Sequence, residues 1–459
     1  MEKILKSVRL LKRLLLFLVM TFILLYTFAT EDQSFQKSSL PKIVVQATDD
    51  IIVNTTSDVA DFAGAQQVGD LPGLDGVVSL REAIIAANNT LGPQVIWFNI
   101  PTSDDGFNGT VFTIQPLSSL PALSDDFTTI DGTTQTSFSG DTNESGPEIV
   151  LNGDLTPTLP HAPGFYINSS GNIIRGLVIN GFEYGVFFGH GGNNLIENNF
   201  IGVDSSGTQA VPNHITGIFI NGMNHLIKGN LLSGNGDFAI EIYGGSGHRI
   251  EGNLIGTDVT GTNPLPNVGG GISIESNNNF VGGLLPGQAN VIAFNSRLGG
   301  FSNGDGICII KAAINNRISG NSIFSNYDLG IDLGADYHGD GLTLNDPGDL
   351  DFGPNNLQNY PVLISALATP GKLIVKGTID TPSPKTVIIE FFTTEPGGDP
   401  SGHGEGAVFL GTVRPNKKGK FTATLRAVPA GTLITATATD ADGNTSEFAK
   451  NIEAKFPLK

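Results

Sequence analysis

The sequence predicts an all-β fold, in which a right-handed parallel β-helix with an N-terminal capping helix is followed by a small immunoglobulin-like β-sandwich. Three observations support this prediction. The 459 residues include 60 glycines and only 15% charged residues, a composition that favours short strands joined by tight turns. An asparagine-rich motif recurs through the middle of the chain. After Pro361 the pattern changes to short strands of alternating apolar residues, as in a sandwich domain.

The recurring motif consists of an asparagine or histidine, a short strand with a central apolar residue, and a turn that ends in asparagine. Clear copies are Asn194-Leu195-Ile196-Glu197-Asn198-Asn199, His225-Leu226-Ile227-Lys228-Gly229-Asn230, His248-Arg249-Ile250-Glu251-Gly252-Asn253 and Asn316-Arg317-Ile318-Ser319-Gly320-Asn321. Asn253 follows Asn230 by 23 residues, the length of one β-helix coil. We expect the longer intervals to be coils with inserted loops.

A second motif lies between copies of the first and predicts another strand in each coil. Its copies are Gly185-Val186-Phe187-Phe188, Gly217-Ile218-Phe219-Ile220, Ala239-Ile240-Glu241-Ile242, Gly271-Ile272-Ser273-Ile274, Gly306-Ile307-Cys308-Ile309 and Gly330-Ile331-Asp332-Leu333. The flanking apolar residues should point inward and the middle residue outward, because side chains alternate along a strand. Coils stacked about 4.8 Å apart place equivalent residues in columns.

Two of these columns are interpreted as structural. One is an asparagine column at a turn, where side-chain amides can hydrogen-bond to the coils above and below; its members are Asn199, Asn230, Asn253 and Asn321. The other alternates in charge on the outer surface and consists of Arg175, Glu197, Lys228 and Glu251. Opposite charges on neighbouring strands are mildly stabilising, so an ion-pair ladder is preferred to a binding role.

The N-terminal segment predicts export. Basic residues at Lys3, Lys6, Arg9, Lys12 and Arg13 precede the apolar run from Leu14 to Phe28. This layout is typical of a secretory signal, and the apolar run approaches the length of roughly 20 residues that a membrane span needs. Residues 1–30 are therefore expected to be a signal peptide or a retained anchor, and the protein is expected to be extracellular or at the cell surface.

Four further segments are expected after the signal. Residues 43–130 should form an N-terminal cap and the first coils, 131–345 the β-helix, 346–360 a junction loop and 361–459 the sandwich. Within the cap, Ser79 and Glu82 have the spacing of a capping box, which predicts a short helix over the following residues. A helix at this position can cover the open end of the first coil.

Several motifs resemble the bacterial right-handed β-helix proteins that carry a "CSLREA" segment near the mature N-terminus. The matching segments are Ser79-Leu80-Arg81-Glu82-Ala83-Ile84, Ile96-Trp97-Phe98-Asn99-Ile100-Pro101, Ile130-Asp131-Gly132-Thr133-Thr134-Gln135, Ile255-Gly256-Thr257-Asp258 and Gly353-Pro354-Asn355-Asn356-Leu357-Gln358-Asn359-Tyr360-Pro361. The resemblance extends over nearly the whole mature chain. It implies a pectin-lyase-like fold, and that superfamily contains lyases, hydrolases and adhesins. Val78 replaces the family cysteine, which suggests a packing role at this position.

Charge and cysteine content limit the classes of partner. The formal net charge of −19 argues against nucleic acid and anionic membrane surfaces, which require clustered Lys and Arg. Cys308 is the only cysteine, so no intramolecular disulfide can form. Stability must therefore come from the stacking of coils.

A candidate catalytic group lies in two consecutive coils and comprises Lys228, Arg249, His225, His248 and Glu251. A polysaccharide lyase needs a base beside a cation that neutralises the uronate carboxylate, and these residue types could supply both. In the alternative interpretation, the histidines replace asparagines at a ladder turn and the charges belong to the ion-pair ladder.

A candidate ligand-binding column comprises Phe187, Phe219 and Glu241, because aromatic rings on an outer sheet can pack against sugars. Glu241 and Asp332 share the column but lie three coils apart, about 14 Å. That separation does not support a hydrolytic carboxylate pair.

A candidate calcium site comprises Asp346, Asp349, Asp351 and Asn355, which place oxygen ligands at short intervals around a glycine. Ca²⁺ is held by six to eight oxygens in flexible geometry. The segment lacks a full ligand set, and the alternative is a turn rich in Asp and Asn that links the coils to the sandwich.

These observations favour a secreted or cell-surface β-helix protein that binds extracellular polysaccharide or another surface component without catalysis. The alternatives are a polysaccharide lyase acting on a uronate-containing glycan and a structural adhesin stalk. If the protein is an enzyme, lyase chemistry is preferred to glycoside hydrolysis.

Overall fold

The structure is a computed structural model that describes residues 49–62, 64–156, 162–296, 304–334, 341–396 and 398–457. The predicted signal or anchor at residues 1–30 lies outside the described residues. Across the parts of the chain that are described, no helix is both long enough and apolar enough to cross a membrane.

Three parallel sheets run along residues 49–334, and from Thr129 onward each coil contributes one strand to each sheet in turn. The first sheet contains β1 (Asp49–Val53), β2 (Gln94–Phe98), β4 (Thr129–Asp131), β7 (Ile173–Arg175), β10 (Leu195–Glu197), β13 (Leu226–Lys228), β16 (Arg249–Glu251), β19 (Phe280–Gly282) and β22 (Arg317–Ser319). The second contains β3 (Phe112–Ile114), β5 (Ile149–Asn152), β8 (Leu177–Asn180), β11 (Phe200–Ile201), β14 (Leu231–Leu232), β17 (Leu254–Ile255), β20 (Val291–Ala293) and β23 (Ser322–Phe324). The third contains β6 (Pro163–Ile167), β9 (Tyr184–Phe188), β12 (Ile218–Ile220), β15 (Phe238–Ile242), β18 (Gly270–Ile274), β21 (Ile307–Ile309) and β24 (Ile331–Asp332). The predicted parallel β-helix is confirmed.

Columns of inward apolar residues hold the coils together. Ile196 pairs in register with Ile227, and Ile227 with Ile250, and all three side chains are fully buried. Burial of one such side chain contributes about 1.5–3 kcal/mol. A one-residue slip would turn the whole set outward, so this column fixes the register.

Three side-chain ladders run through the turns between the sheets. The ladder between the first and second sheets consists of Asn199, Asn230, Asn253, Asn290 and Asn321, and each side chain accepts a hydrogen bond from the backbone of the preceding coil. The ladder between the second and third sheets consists of Asn213, Asn235, Asn267, Asn295 and Asn326. The predicted asparagine ladder is confirmed, and Asn290 is a further member.

The third ladder lies between the third and first sheets and contains the two histidines. Its members are Asn172, Asn194, His225, His248, Asn279, Asn316 and Asn355. Asn355 comes from the short 3-10 helix Pro354–Leu357 after the last coil. The junction loop therefore supplies the terminal member of this ladder.

The N-terminal end is covered by helix α1 (Leu80–Asn88), and a second short helix, α2 (Thr134–Ser139), follows β4. The Ser79 hydroxyl accepts from the backbone N–H of Glu82 at 3.1 Å, and Glu82 accepts from the backbone of Ser79 at 2.9 Å. The predicted capping box is confirmed. Val78 is buried in the same core as α1, in agreement with a packing role.

The C-terminal part of the chain is a nearly closed, sandwich-like sheet with the order β28-β27-β30-β31-β25-β26-β29. Its strands are β25 (Val362–Thr369), β26 (Lys372–Thr378), β27 (Ile388–Thr393), β28 (Val408–Val413), β29 (Lys420–Leu425), β30 (Leu433–Thr439) and β31 (Ile452–Lys455), with the 3-10 helix Pro384–Thr386 before β27. Most neighbours are antiparallel, whereas β25 and β31 are parallel. The β-sandwich prediction is confirmed at this level, and its immunoglobulin-like topology stays a prediction.

Three glutamates of this C-terminal sheet and its loops close the last coil of the β-helix. Glu390 accepts from the backbone N–H of Gly320 at 2.9 Å, and Glu447 accepts from that of Leu333 at 3.1 Å. Glu405 accepts from Asn326, the last member of its ladder. These bonds occupy backbone donors that would otherwise form an open sheet edge.

Candidate functional site

An aromatic group lies on the outer face of the third sheet. In register, Tyr166 pairs with Phe187, and Phe187 with Phe219, so the three rings form one outward column. Their neighbours Val186, Phe188, Ile218 and Ile220 point inward and are fully buried. We call the five residues Tyr166, Tyr184, Phe187, Phe219 and Tyr243 the aromatic group.

The rings of this group contact one another across successive coils. Phe187 and Phe219 are stacked at 4.6 Å with an interplanar angle of 9°, and Tyr243 stacks on Phe219 at 5.4 Å. Tyr166 and Tyr184 approach Phe187 edge to face at 5.6 and 5.2 Å. Tyr166 is 38% exposed and Tyr243 is 49% exposed, whereas the two phenylalanines are half-buried. The solvent-facing surface therefore consists of the rings of Tyr166 and Tyr243 and the outer rims of Tyr184, Phe187 and Phe219.

Carboxylates adjoin the aromatic group. Glu241 pairs in register with Phe219 and is half-buried, and its Oε2 accepts from the hydroxyl of Thr216 at 3.3 Å. Burial, together with the negative charges of Glu275 and Asp237, raises the pKa of Glu241 to about 7. The side chain is therefore partly protonated near neutral pH.

Tyr184 and Lys311 both interact with these carboxylates. Burial raises the pKa of Tyr184, and the charges of Glu241, Glu183 and Asp237 raise it further. Lys311 forms an ion pair with Glu275, and its Nζ lies 5.2 Å from the centre of the Tyr243 ring. Aromatic and acidic side chains thus share one continuous surface, which we call the aromatic–acidic face.

Beyond Glu241 the outward column becomes buried. It continues through Ser273 and Cys308 to Asp332, in agreement with the predicted three-coil separation between Glu241 and Asp332. Burial raises the pKa of Asp305 well above its usual range, and the charge of Asp332 adds to the shift. Burial likewise raises the pKa of the Cys308 thiol.

The two predicted catalytic histidines lie inside a turn and are fully buried. Nδ1 of His225 accepts from the backbone N–H of Asn194, and Nδ1 of His248 accepts from that of His225, both at 3.3 Å. With Nδ1 as acceptor, each Nε2–H donates to a carbonyl oxygen, that of Asn221 at 2.8 Å and that of Gly244 at 3.1 Å. Burial lowers the pKa of His225 to about 3 and of His248 to about 4. This arrangement agrees with the structural interpretation of the histidines.

The other three predicted catalytic residues lie on the outer face of the first sheet. Lys228 is exposed and pairs in register with Glu251, which forms an ion pair with Arg249 at 2.5 Å. Both histidines, in contrast, are fully buried in the turn ladder that directly precedes β13 and β16. The structure therefore does not bring the five predicted catalytic residues into one site.

The four predicted calcium ligands also lie in two different places. Carboxylate oxygens of Asp346, Asp349 and Asp351 lie within 4.8 Å of one another. Asn355 instead accepts from the backbone N–H of Asn316 at 3.0 Å and donates to its carbonyl at 2.7 Å. The three aspartates form one acidic group, and Asn355 belongs to the turn ladder.

Three members of the aromatic group were not found from the sequence. Gly164-Phe165-Tyr166-Ile167 has the same pattern as the later strand motifs, so Tyr166 could have been found. Tyr243 follows the inward residue Ile242 and alternation alone points it outward. Tyr184 carries no comparable signal, because its place depends on how the preceding loop enters β9.

Residues 163–345 match the family model described as the right-handed beta helix region. This match agrees with the three parallel sheets and confirms the right-handed β-helix. No curated protein matches the chain. The solved Dettilon tailspike protein (gp208) is similar over 89% of this chain and 92% of its own, at 14% identity and a TM-score of 0.24. With so low a TM-score, the fold assignment rests on the sheets and the family match.

Proposed function

We propose that this β-helix protein is exported and binds extracellular glycan on the aromatic–acidic face of the third sheet. The observation that carries the proposal is the aromatic group, which lies on β6, β9 and β12 of one outer sheet and continues to Tyr243 directly after β15. Aromatic side chains offer large apolar surfaces with little flexibility, and such surfaces pack against the apolar faces of sugar rings. A column of rings suits an extended ligand better than a compact one.

The repeat supports binding of a chain-like ligand. Strands of the third sheet follow one another at about 4.8 Å, so four strands place rings along about 14 Å of the surface. Tyr166 and Tyr243 lie at the two ends of this row and have the most exposed rings of the group. A glycan laid along the solenoid axis would contact both tyrosines at once.

The proposed role is binding, because the candidate lyase group is divided between an interior turn and an outer face. The carboxylates beside the aromatic group also disfavour a uronate polymer, since like charges in a partly buried site repel. An adhesin stalk without a ligand is the remaining alternative. An exposed aromatic row on one face favours the binder over the stalk.

The test is a binding panel with neutral, anionic and cationic polysaccharides, measured by affinity electrophoresis with the full chain. Tyr166→Ala and Tyr243→Ala should each weaken binding about tenfold, on the order of 1.4 kcal/mol. Phe280→Ala is the matched control, because this ring is 40% exposed but lies on the first sheet. Glycan binding on this face would be rejected if no glycan retarded the protein. It would also be rejected if Phe280→Ala weakened binding as much as the tyrosine variants.

We also propose that the aspartate group of the junction loop binds Ca²⁺. Three carboxylates in close reach suit a hard cation, and the Oδ1 atom of Asp351 is buried without a hydrogen-bond partner. Burial raises the pKa of Asp349 and of Asp351, and the charge of Asp346 adds to both shifts. A divalent cation would neutralise these charges, with Asp346, Asp349 and Asp351 as ligands.

A further inference from the structure

We infer that the glycan bound on the aromatic–acidic face carries ammonium groups, as a polymer of glucosamine does. This inference rests on the proposed glycan-binding function and names the class of glycan. It follows from the placement of carboxylates among the aromatic rings. A neutral glycan would not require those carboxylates, and an anionic one would be repelled by them.

The charges of the face are predominantly negative. The negative charges of Glu183, Asp237 and Glu241 raise the pKa of Tyr184. Those of Glu275 and Asp237 raise the pKa of Glu241. Within the described part of the chain, the ammonium group of Lys311 reaches these carboxylates. The partly buried surroundings of Glu241 strengthen its interaction with any ligand charge, because the local dielectric constant is below that of water.

Lys311 shows how the face accommodates an ammonium group. Its Nζ forms an ion pair with Glu275 and lies 5.2 Å from the centre of the Tyr243 ring. This combination of a carboxylate with a ring face is the arrangement that stabilises cations by charge and by cation–π attraction. The neighbouring Glu241 lies beside Phe219 and Tyr184 in a similar combination, one strand towards the N-terminus.

A buried carboxylate lies beneath this part of the face. The side chain of Glu275 is only 1% exposed, and its Oε1 atom has no hydrogen-bond partner. A buried acceptor without a donor costs roughly 1–3 kcal/mol or more when it is charged. Glu275 therefore adds a poorly satisfied negative charge beneath the face, and this charge increases the attraction of the face for an ammonium group.

The proton equilibrium of Glu241 gives the inference a second readout. An ammonium group next to this side chain favours its ionised form and lowers its pKa from about 7. At a pH below the pKa of the glycan amine, where that amine is already charged, binding should therefore release a proton from Glu241 to the buffer. A neutral glycan lacks the charge needed for this release.

The experiment compares glucosamine oligosaccharides with N-acetylglucosamine oligosaccharides of the same length by isothermal titration calorimetry on the full chain. We expect the amine-bearing series to bind about tenfold more tightly, as one charge-assisted hydrogen bond predicts. Titration at about pH 6, where both Glu241 and the glycan amine are largely protonated, in buffers of different ionisation enthalpy should show proton release for that series alone. Glu241→Gln should abolish both the preference and the release, while Glu453→Gln, exposed on β31, should change neither.

Other outcomes separate this inference from the proposed function. Equal binding of both series, with no effect of Glu241→Gln, overturns the ammonium inference and retains glycan binding. Binding of neither series, nor of any glycan in the panel, rejects both. If oligolysine binds as tightly as the amine-bearing series and depends equally on Glu241, the ligand is a cationic peptide and the inference is wrong.

Discussion

Asn326 donates two hydrogen bonds to Glu405, one from its backbone N–H at 3.0 Å and one from its side-chain amide at 2.7 Å. Asn326 is the last member of a turn ladder, and Glu405 belongs to the C-terminal sandwich-like part. The carboxyl group thus takes the place that the next asparagine would have in an additional coil. The ladder ends on a side chain of the following domain, so the two parts should unfold cooperatively.

We predict that this junction loses stability as pH rises. Burial raises the pKa of Glu405 to about 8 and that of Glu447 to about 8, from an ordinary value of 4.5. Between these values the folded chain binds more protons than the unfolded chain, so the free energy of unfolding falls as pH rises through that window. Melting temperatures measured from pH 5 to pH 9 should therefore decline as these groups ionise.

The matched variant for this pH dependence is Glu405→Gln. Glutamine keeps the shape of the side chain and cannot ionise, so the fall in melting temperature between about pH 5 and pH 8 should become shallower. A slope identical to that of the unchanged chain would show that Glu405 does not titrate in this range. Glu453→Gln, on the exposed side of β31, should leave the slope as it is.

The buried histidines predict an opposite dependence on the acid side. Burial lowers the pKa of His248 to about 4, from an ordinary value of 6.5. Its contribution to stability is complete above about pH 6.5 and is lost as pH falls towards 4, because the unfolded chain then binds the extra proton. His248→Asn should restore a ladder asparagine and reduce the loss of stability between pH 6.5 and pH 4. Denaturant unfolding at both pH values measures this, and an unchanged acid-side loss would contradict it.

Asn290 should be essential for coil stacking. Its amide donates to the carbonyl of Ile250 at 2.8 Å and to the side chain of Asn321 at 2.9 Å, and its Oδ1 accepts from Asn253. Asn290→Ala leaves these buried groups without partners and should lower the free energy of unfolding by about 2–3 kcal/mol. Asn168→Ala changes an exposed asparagine of the same solenoid and should cost less than about 0.5 kcal/mol. Equal effects in urea unfolding would show that ladder position does not matter.

Calcium should stabilise the chain if the three junction aspartates bind it. At a free Ca²⁺ concentration about ten times the dissociation constant, the stabilisation is about 1.4 kcal/mol. Scanning calorimetry should show a higher melting temperature with millimolar Ca²⁺ and reversal by a chelator. Asp351→Asn should reduce this shift, whereas Asp442→Asn, exposed in a turn of the C-terminal part, should not. A shift of the same size in both variants would place the calcium effect elsewhere.

The β-helix could be predicted from the sequence because its determinants are local and repeated. Each coil carries its own inward isoleucine and its own turn asparagine, as in Ile227 with Asn230 and Ile250 with Asn253. Stacking of identical units then brings like residues together without further information. The capping box at Ser79 is equally local, since it spans a single helical turn.

The tertiary structure decided the features that depend on partners far apart in the sequence. Glu405 meets Asn326 only because the C-terminal sheet packs on the last coil, and Asn355 joins a ladder although its sequence neighbours suggested a cation loop. The direction of each side chain also decided that His248 is buried inside a turn whereas Lys228 is exposed on the outer face. Strand register and loop entry, which follow from packing of the whole solenoid, assembled the aromatic group beside Glu241.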